Sequence, residues 1–96
     1  MQKEMEFDWD QWNVQKNELK HGVSQLEAES IFFDKHLILF EDISHSTTIE
    51  TRWIGFGTSH LHRVMMVAFT IRHPSKIRII SARQASRKER KIYENQ

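Results

Sequence analysis

Three short stretches of the chain combine residue types that do acid–base and phosphate chemistry. The first is Lys20-His21-Gly22, an ammonium beside an imidazole. Imidazole titrates near ~6.5 in water, where it can both take and give a proton. A histidine just ahead of a helix-stopping glycine also makes an ordinary helix C-cap, and the tripeptide alone does not choose between the two. The second is Glu50-Thr51-Arg52, where strand alternation places Glu50 and Arg52 on one face. Its plain alternative is a same-face ion pair that contributes little. The third runs from Arg78 through Arg83, Arg87 and Arg90 to Tyr93. Alternation sends Arg78 and Ile80 to one face of a strand, and Ile79 and Ser81 to the other. Arg83 sits at a strand-to-helix junction, Arg83, Arg87 and Arg90 fall near one stripe, and Arg90 and Tyr93 are i, i+3 neighbours. Four cations and a phenol would converge there, and a planar guanidinium suits phosphate well. The competing account is a solvated basic face.

Charge along the chain favours an anionic partner. The 96 residues carry a formal net charge of +1, yet residues 1–50 sum to −7 and residues 51–96 to +8, with seven of the ten cations in the second half arginine. Such a division implies a basic face that attracts phosphates, a nucleic acid or an acidic protein; the alternative is that the two halves pair internally. Cysteine is absent, and the histidines lack paired metal-ligand spacing, so no disulfide, metal or cofactor is expected. The chain has no phosphate-binding glycine loop and no nucleophile elbow. His36, His45, His60, His62 and His73 read as surface histidines, and Trp9, Trp12 and Trp53 as core rather than base-stacking platforms. The start of the chain lacks the pattern of a secretory signal and no stretch is long and apolar enough for a membrane helix, which predicts a cytoplasmic protein.

The elements that must hold these residues form one α+β domain over residues 1–96. Asp10 caps a helix over 11–20 with Trp12, Gln15 and Leu19 on its partly buried side and Gly22 as its stop. Ser24 and Glu27 form a capping box for a second helix over 25–33. After Asp34, runs of β-branched and aromatic residues predict strands at 37–41, 49–56, 63–72 and 76–82. The third is apolar on both faces and is therefore central. A loop at Thr58-Ser59-His60 and a turn at His73-Pro74-Ser75 make the four strands an antiparallel meander. Ser86 and Glu89 form a second capping box and start a short, highly charged C-terminal helix.

Phe7-Asp8-Trp9-Asp10, Asn17, Lys20-His21-Gly22-Val23-Ser24, Glu27-Ala28 and Phe33-Asp34 together resemble the opening of the BrnT family of type II toxins. The likeness resumes with Glu50-Thr51-Arg52, Gly55, Val67-Ala68-Phe69-Thr70 and Arg72. It continues through Ile77 to Arg83, then Ala85-Ser86-Arg87, Glu89-Arg90 and Tyr93-Glu94. Gln11 and Asn13 stand where the family usually has Pro and Lys, a departure that touches the helix start and one RNA-backbone contact, and residues 36–48 match no part of the pattern.

The resemblance implies a fold similar to the RelE toxins and a ribonuclease that inhibits translation. It implies a BrnA-like antitoxin from the adjacent gene as partner in a hetero-oligomer, RNA as substrate, free or on the ribosome, and operator DNA bound only through the antitoxin. A metal-independent endoribonuclease works by attack of the RNA 2′-hydroxyl on the adjacent phosphorus. That reaction needs a base, an acid and cations for the growing phosphoryl charge. The candidates are His21 or Glu50 as base, Arg52 and Arg83 for the phosphate, and Tyr93 or His21 as acid. Lys20, Arg78, Arg87 and Arg90 would hold RNA phosphates. The alternative is a non-enzymatic module, or an inactive toxin, that binds antitoxin and nucleic acid in operon autoregulation.

Overall fold

Asp10 starts the first helix because its extended backbone and short carboxylate side chain suit an N-cap. In the computed structural model, which describes residues 5–72 and 75–96, its side chain accepts a hydrogen bond from the Trp12 N–H at 2.8 Å. Helix α1, Gln11–His21, ends where Gly22 takes φ 63°. The Gly22 N–H then reaches the Glu18 carbonyl and the Val23 N–H the Asn17 carbonyl, at 3.2 and 3.4 Å, which closes the helix with the double bond that a left-handed glycine allows. The buried side of α1 is Val14 and Asn17; Trp12 is 71% exposed and Gln15 is exposed, so the expected side is corrected, while the Leu19 side chain lies outside the described ones.

Helix α2, Gln25–Ser30, is shorter than the helix expected over 25–33, whose last turn is 3₁₀ at Ile31–Phe33. Ser24 accepts from the Glu27 N–H at 3.1 Å, but the Glu27 side chain turns inward instead of completing the capping box. Helix α3, Arg87–Glu94, has the full reciprocal box between Ser86 and Glu89.

The sheet corrects the four-stranded antiparallel expectation. It has five strands in the order β1-β5-β4-β3-β2: Glu6–Trp9, Lys76–Gln84, Val64–Arg72, Arg52–Thr58 and Ile38–Glu41. β1 is the strand not foreseen, and it pairs parallel to β5 while the other pairs are antiparallel. Glu-Phe-Asp-Trp does alternate, but four residues whose partner lies about seventy positions away carry too little local signal. β4 is central, as its doubly apolar sequence requires. The expected turn at His73-Pro74 lies outside the described residues.

One face of the sheet buries Met65, Val67, Phe69, Ile77, Ile79 and Ala82 against Val23, Ala28 and Ile31, with Phe7, Trp9 and Phe32 packed around them. Phe32 meets Phe69 edge-on at 4.9 Å and Phe7 at 5.5 Å. Gly57 lets the turn after α2 lie on β3: a Cβ there would stand 3.0 Å from Ile31 Cβ. Past the reach of β1, helix α1 covers the edge of β5, where Asn17 Oδ1 accepts from the Ala82 N–H at 3.3 Å.

A β-bulge decides what the other face carries. Ala68 pairs with Ser81 but Phe69 with Ile79, which leaves Ile80 as the extra residue of β5. Simple alternation put Ile80 beside Arg78 and Ser81 opposite; the bulge instead puts Arg78, Ser81 and Arg83 all on the face away from the core, and keeps Ile79 and Ala82 both on the core side.

A candidate nucleic-acid interface on the second face of the sheet

The register lays this face out in rows across the strands. Arg52, Thr70, Arg78 and Asp8 form one row over β3, β4, β5 and β1; Phe56, Met66 and Arg83 form another, and Thr58 and Val64 a further one. A row spaces side chains by a strand separation, ~4.8 Å, and each residue along a strand adds ~3.4 Å. Arg52 therefore lies about 14 Å along the strands from the row of Arg83 and about 20 Å from Thr58. Helix α3 crosses the strands at the Thr58 end, from Arg83 on β5 to Thr58 on β3, and stops short of the Arg52 row.

At the open end Arg78 is held by Asp8 at 2.8 Å and Asp10 at 3.9 Å. Arg72 pairs with Glu50 at 3.0 Å one step beyond the row, both half exposed. Arg52 has no carboxylate within ion-pair distance among the described residues, and its Nε is hidden from solvent without a hydrogen-bond partner. Thr70, between the two arginines, is 2% exposed, and its Oγ1 is likewise unpartnered.

The other end is tied by polar side chains. Arg83 meets Glu89 through two parallel bonds of 2.7 and 2.8 Å. That contact, against the cost of burial, holds the Glu89 carboxyl below its usual range and the Arg83 guanidinium above its own. Tyr93 donates to Asp34 Oδ2 and accepts from Thr58 Oγ1 at 3.0 Å. Burial first, then the hydrogen bond to Asp34, raises the Tyr93 phenol against the opposing bond from Thr58. Burial of Asp34 works in the opposite sense to its hydrogen bonds from the Thr58 N–H, Tyr93 and the His36 N–H; the bonds prevail and its carboxyl is lowered. A cleft of 430 Å³ lies beside this tie, lined by Ser30, Phe33, Asp34, Thr58, Ser59 and His60.

The expected site residues thus fall into two groups. Glu50, Arg52 and Arg78 come together at the open end. Helix α1 runs alongside β5 from Asp10, near Arg78, past Asn17, at Ala82, so Lys20 and His21 lie at the Arg83 end, where the Arg63 guanidinium also reaches the Gly22 carbonyl at 3.4 Å. Arg83, Arg87, Arg90 and Tyr93 belong to that end too. The expected convergence of four cations and a phenol is not found: Arg78 is two rows from Arg83, and Arg83 belongs to the strand, off the helix stripe. Residue spacing turns Arg87 about 160° around α3 from Glu89, the residue that faces Arg83. Arg87 and Arg90 are both exposed.

Sequence reasoning gave no role to Thr70, Arg72 or the pair of buried Glu27 with part-exposed Arg63, because only the register and the inward turn of Glu27 reveal them. Among the described residues no group of three or more His, Cys, Asp or Glu side chains is placed to hold a metal ion. No helix is long and apolar enough to cross a membrane.

A family model described as the ribonuclease toxin BrnT of type II toxin-antitoxin systems matches residues 9–89. The crystal structure of the Brucella abortus ribonuclease toxin BrnT is similar in fold, with a TM-score of 0.64 at 23% identity over 88% of this chain and 100% of that one. No curated protein matches the chain significantly. With the family model matching from the end of β1 to the first turn of α3, the chain belongs to the BrnT family of ribonuclease toxins of type II toxin-antitoxin systems.

Proposed function

We propose that the chain is a metal-independent endoribonuclease that cleaves RNA by 2′-hydroxyl attack, and that its reacting phosphate sits at the open end of the second sheet face. The observation that supports this is the row Arg52–Thr70–Arg78, with Glu50 and Arg72 one step beyond it. Arg52, which makes no ion pair among the described residues and has Asp42 only at longer range, takes the phosphoryl oxygens. Arg78, fixed by Asp8 and Asp10, adds positive potential from a set position. Glu50 is the base for the 2′-hydroxyl, and Arg72 orients its carboxylate. His21 and Tyr93 lie at the far end, and Tyr93 already commits its proton to Asp34, so both leave the chemical step. The 5′-oxygen then takes its proton from solvent. Lys20, Arg83, Arg87 and Arg90 serve flanking phosphates.

Family membership implies an antitoxin partner; we infer that it is BrnA-like, encoded next to this chain, and that the hetero-oligomer reaches operator DNA through it.

The test is incubation of the purified chain with end-labelled RNA in EDTA. New 2′,3′-cyclic phosphate ends are expected, falling about 10²–10³-fold with Arg52→Ala, the loss typical of a donor aimed at developing charge. Arg83→Ala is expected to act mainly on binding. Cleavage by Arg52→Ala at the parent rate refutes the site. A salt-dependent shift of RNA without new ends refutes the enzyme and leaves the binding module.

A further inference from the structure

Two atoms at the open end of the sheet face are capable of hydrogen bonding and have nothing to bond. Thr70 Oγ1 and Arg52 Nε are both hidden from solvent and unpartnered among the described residues. Thr70 and Arg52 stand directly opposite one another in the β3–β4 register, so their side chains share one face with Cβ atoms ~4.5–5.5 Å apart. The hydroxyl has no local purpose. A central strand asks for a β-branched residue there, which valine supplies with the same shape, and a buried hydroxyl without a partner is destabilising where valine would not be.

The surroundings say what such a hydroxyl fits. Its neighbours along the row are Arg52 on β3 and Arg78 on β5, and the Arg78 guanidinium is drawn toward Asp8 and Asp10, away from Thr70. The unpaired positive group beside Thr70 is therefore that of Arg52, which carries its own spare N–H. An O–H donor and an N–H donor next to a guanidinium that makes no ion pair among the described residues, with the Asp42 carboxylate acting on it only from longer range, suit a tetrahedral oxyanion, one oxygen to each donor. A cation pays little for an empty neighbour on an open face, but a hydroxyl hidden beneath it gains a partner only when an anion moves the arginine aside.

We propose that Thr70 is a phosphate-binding residue of the RNA site: a non-bridging phosphoryl oxygen of the backbone accepts from Thr70 Oγ1 while Arg52 Nε–H and guanidinium take the other. The Arg52 side chain swings out to admit it. This rests on the ribonuclease reading above and adds a neutral contact that charge alone does not reveal. Because the hydroxyl is neutral, its removal weakens binding equally at all salt concentrations, whereas loss of an arginine also flattens the salt dependence.

The experiment compares the parent chain with Thr70→Val, Thr70→Ser and Arg52→Lys, which keeps the charge and drops Nε–H. Affinity is read by fluorescence anisotropy on a 2′-O-methyl oligonucleotide, which cannot be cleaved, and stability by melting without RNA. Thr70→Val is expected to weaken binding about ten- to hundredfold, as loss of a hydrogen bond to a charged group does, with an unchanged salt slope and a melting temperature equal to or above the parent's. Arg52→Lys is expected to weaken binding in the same direction, and Thr70→Ser to bind as the parent does. If Thr70→Val binds within twofold of the parent, or only melts earlier, the hydroxyl is structural and the proposal is overturned while the ribonuclease reading stands. If Thr70→Val does not fold, parent-like binding by Arg52→Lys overturns it. A parent chain that neither binds this probe nor cleaves the 2′-hydroxyl RNA overturns both.

Discussion

Removing the Arg63 side chain should come close to unfolding the protein, because of what it leaves behind. Glu27 is 1% exposed. Its Oε2 accepts from Arg63 Nε at 2.8 Å and Ser59 Oγ at 2.7 Å, and its Oε1 meets the other arm of the Arg63 guanidinium. In Arg63→Ala one carboxylate oxygen loses every partner and the other keeps only a serine. Breaking a buried ion pair in this way costs about 3–5 kcal/mol, a large share of the roughly 5–14 kcal/mol that holds a chain of this length folded. The melting temperature should fall by about 12 to 40 °C, at about 4–8 °C per kcal/mol. The pH dependence supplies a second, independent sign. Arg63, then Ser59, hold the Glu27 carboxyl below its usual 4.5 against the opposing effect of burial. In the parent, then, the stability it contributes is fully present above the unfolded value and is lost as pH falls through the lower folded value. Without Arg63 burial raises that carboxyl, so protonation relieves the variant, and its deficit should narrow as pH drops from 7 toward 4. Urea denaturation at several pH values measures both. Replacing both partners with leucine should recover most of the loss. A deficit of Arg63→Ala below about 1 kcal/mol, or one that widens on acidification, would refute the account of a buried ion pair.

Gly57→Ala puts a Cβ 3.0 Å from Ile31 Cβ and 3.2 Å from the Ile31 carbonyl, whereas the same change at Gly55 meets nothing nearer than 3.4 Å. Gly57→Ala should therefore cost about 1–3 kcal/mol and Gly55→Ala clearly less, and thermal melts that rank them equally would count against the close approach of the turn to β3. Tyr93→Phe removes the bonds to Asp34 and Thr58 from a helix with no buried residue of its own. It should cost about 1–3 kcal/mol and speed amide exchange in α3 while leaving RNA cleavage within a few-fold; a large loss of cleavage in a folded variant would return Tyr93 to the chemistry.

What the sequence made legible was local. Both capping serines, the glycine stop of α1, the central β4 and the C-terminal helix follow from side-chain chemistry or period, and all are found. What escaped was set by distant partners. β1 exists because β5 offers it an edge, and the Glu27 side chain leaves its capping box because Arg63, thirty-six residues on, outbids a backbone N–H. Trp12, which a helical wheel placed inward, is exposed because α1 lies along a strand edge and buries only the narrow side at Val14 and Asn17. The candidate residues were legible by type but not by grouping. Glu50 and Arg52 are joined by Arg78 because of register, and Arg78 and Arg83 share a face only because Ile80 is bulged.

The divided charge of the chain presented two rival accounts, internal pairing or a surface for a polyanion; the ion pairs show the first, and the proposed phosphate site is compatible with it. Acids of the first half meet arginines of the second at Glu27–Arg63, Glu50–Arg72 and Asp8–Arg78. Pairing does not simply cancel these cations. Asp8 comes from the strand beside β5 and pins Arg78 within the row, and Arg72, paired with Glu50, marks the next step along the same face. Each carboxylate spends the conformational freedom of a long side chain at folding, so that little remains to be lost when a phosphate arrives. Arg52 is left without an ion pair among the described residues, and it ends that row at β3, next to a hydroxyl without a partner. A face built only of unpaired arginines would bind any polyanion loosely; a face of oriented arginines beside one cation outside any ion pair is suited to a single phosphate in one position.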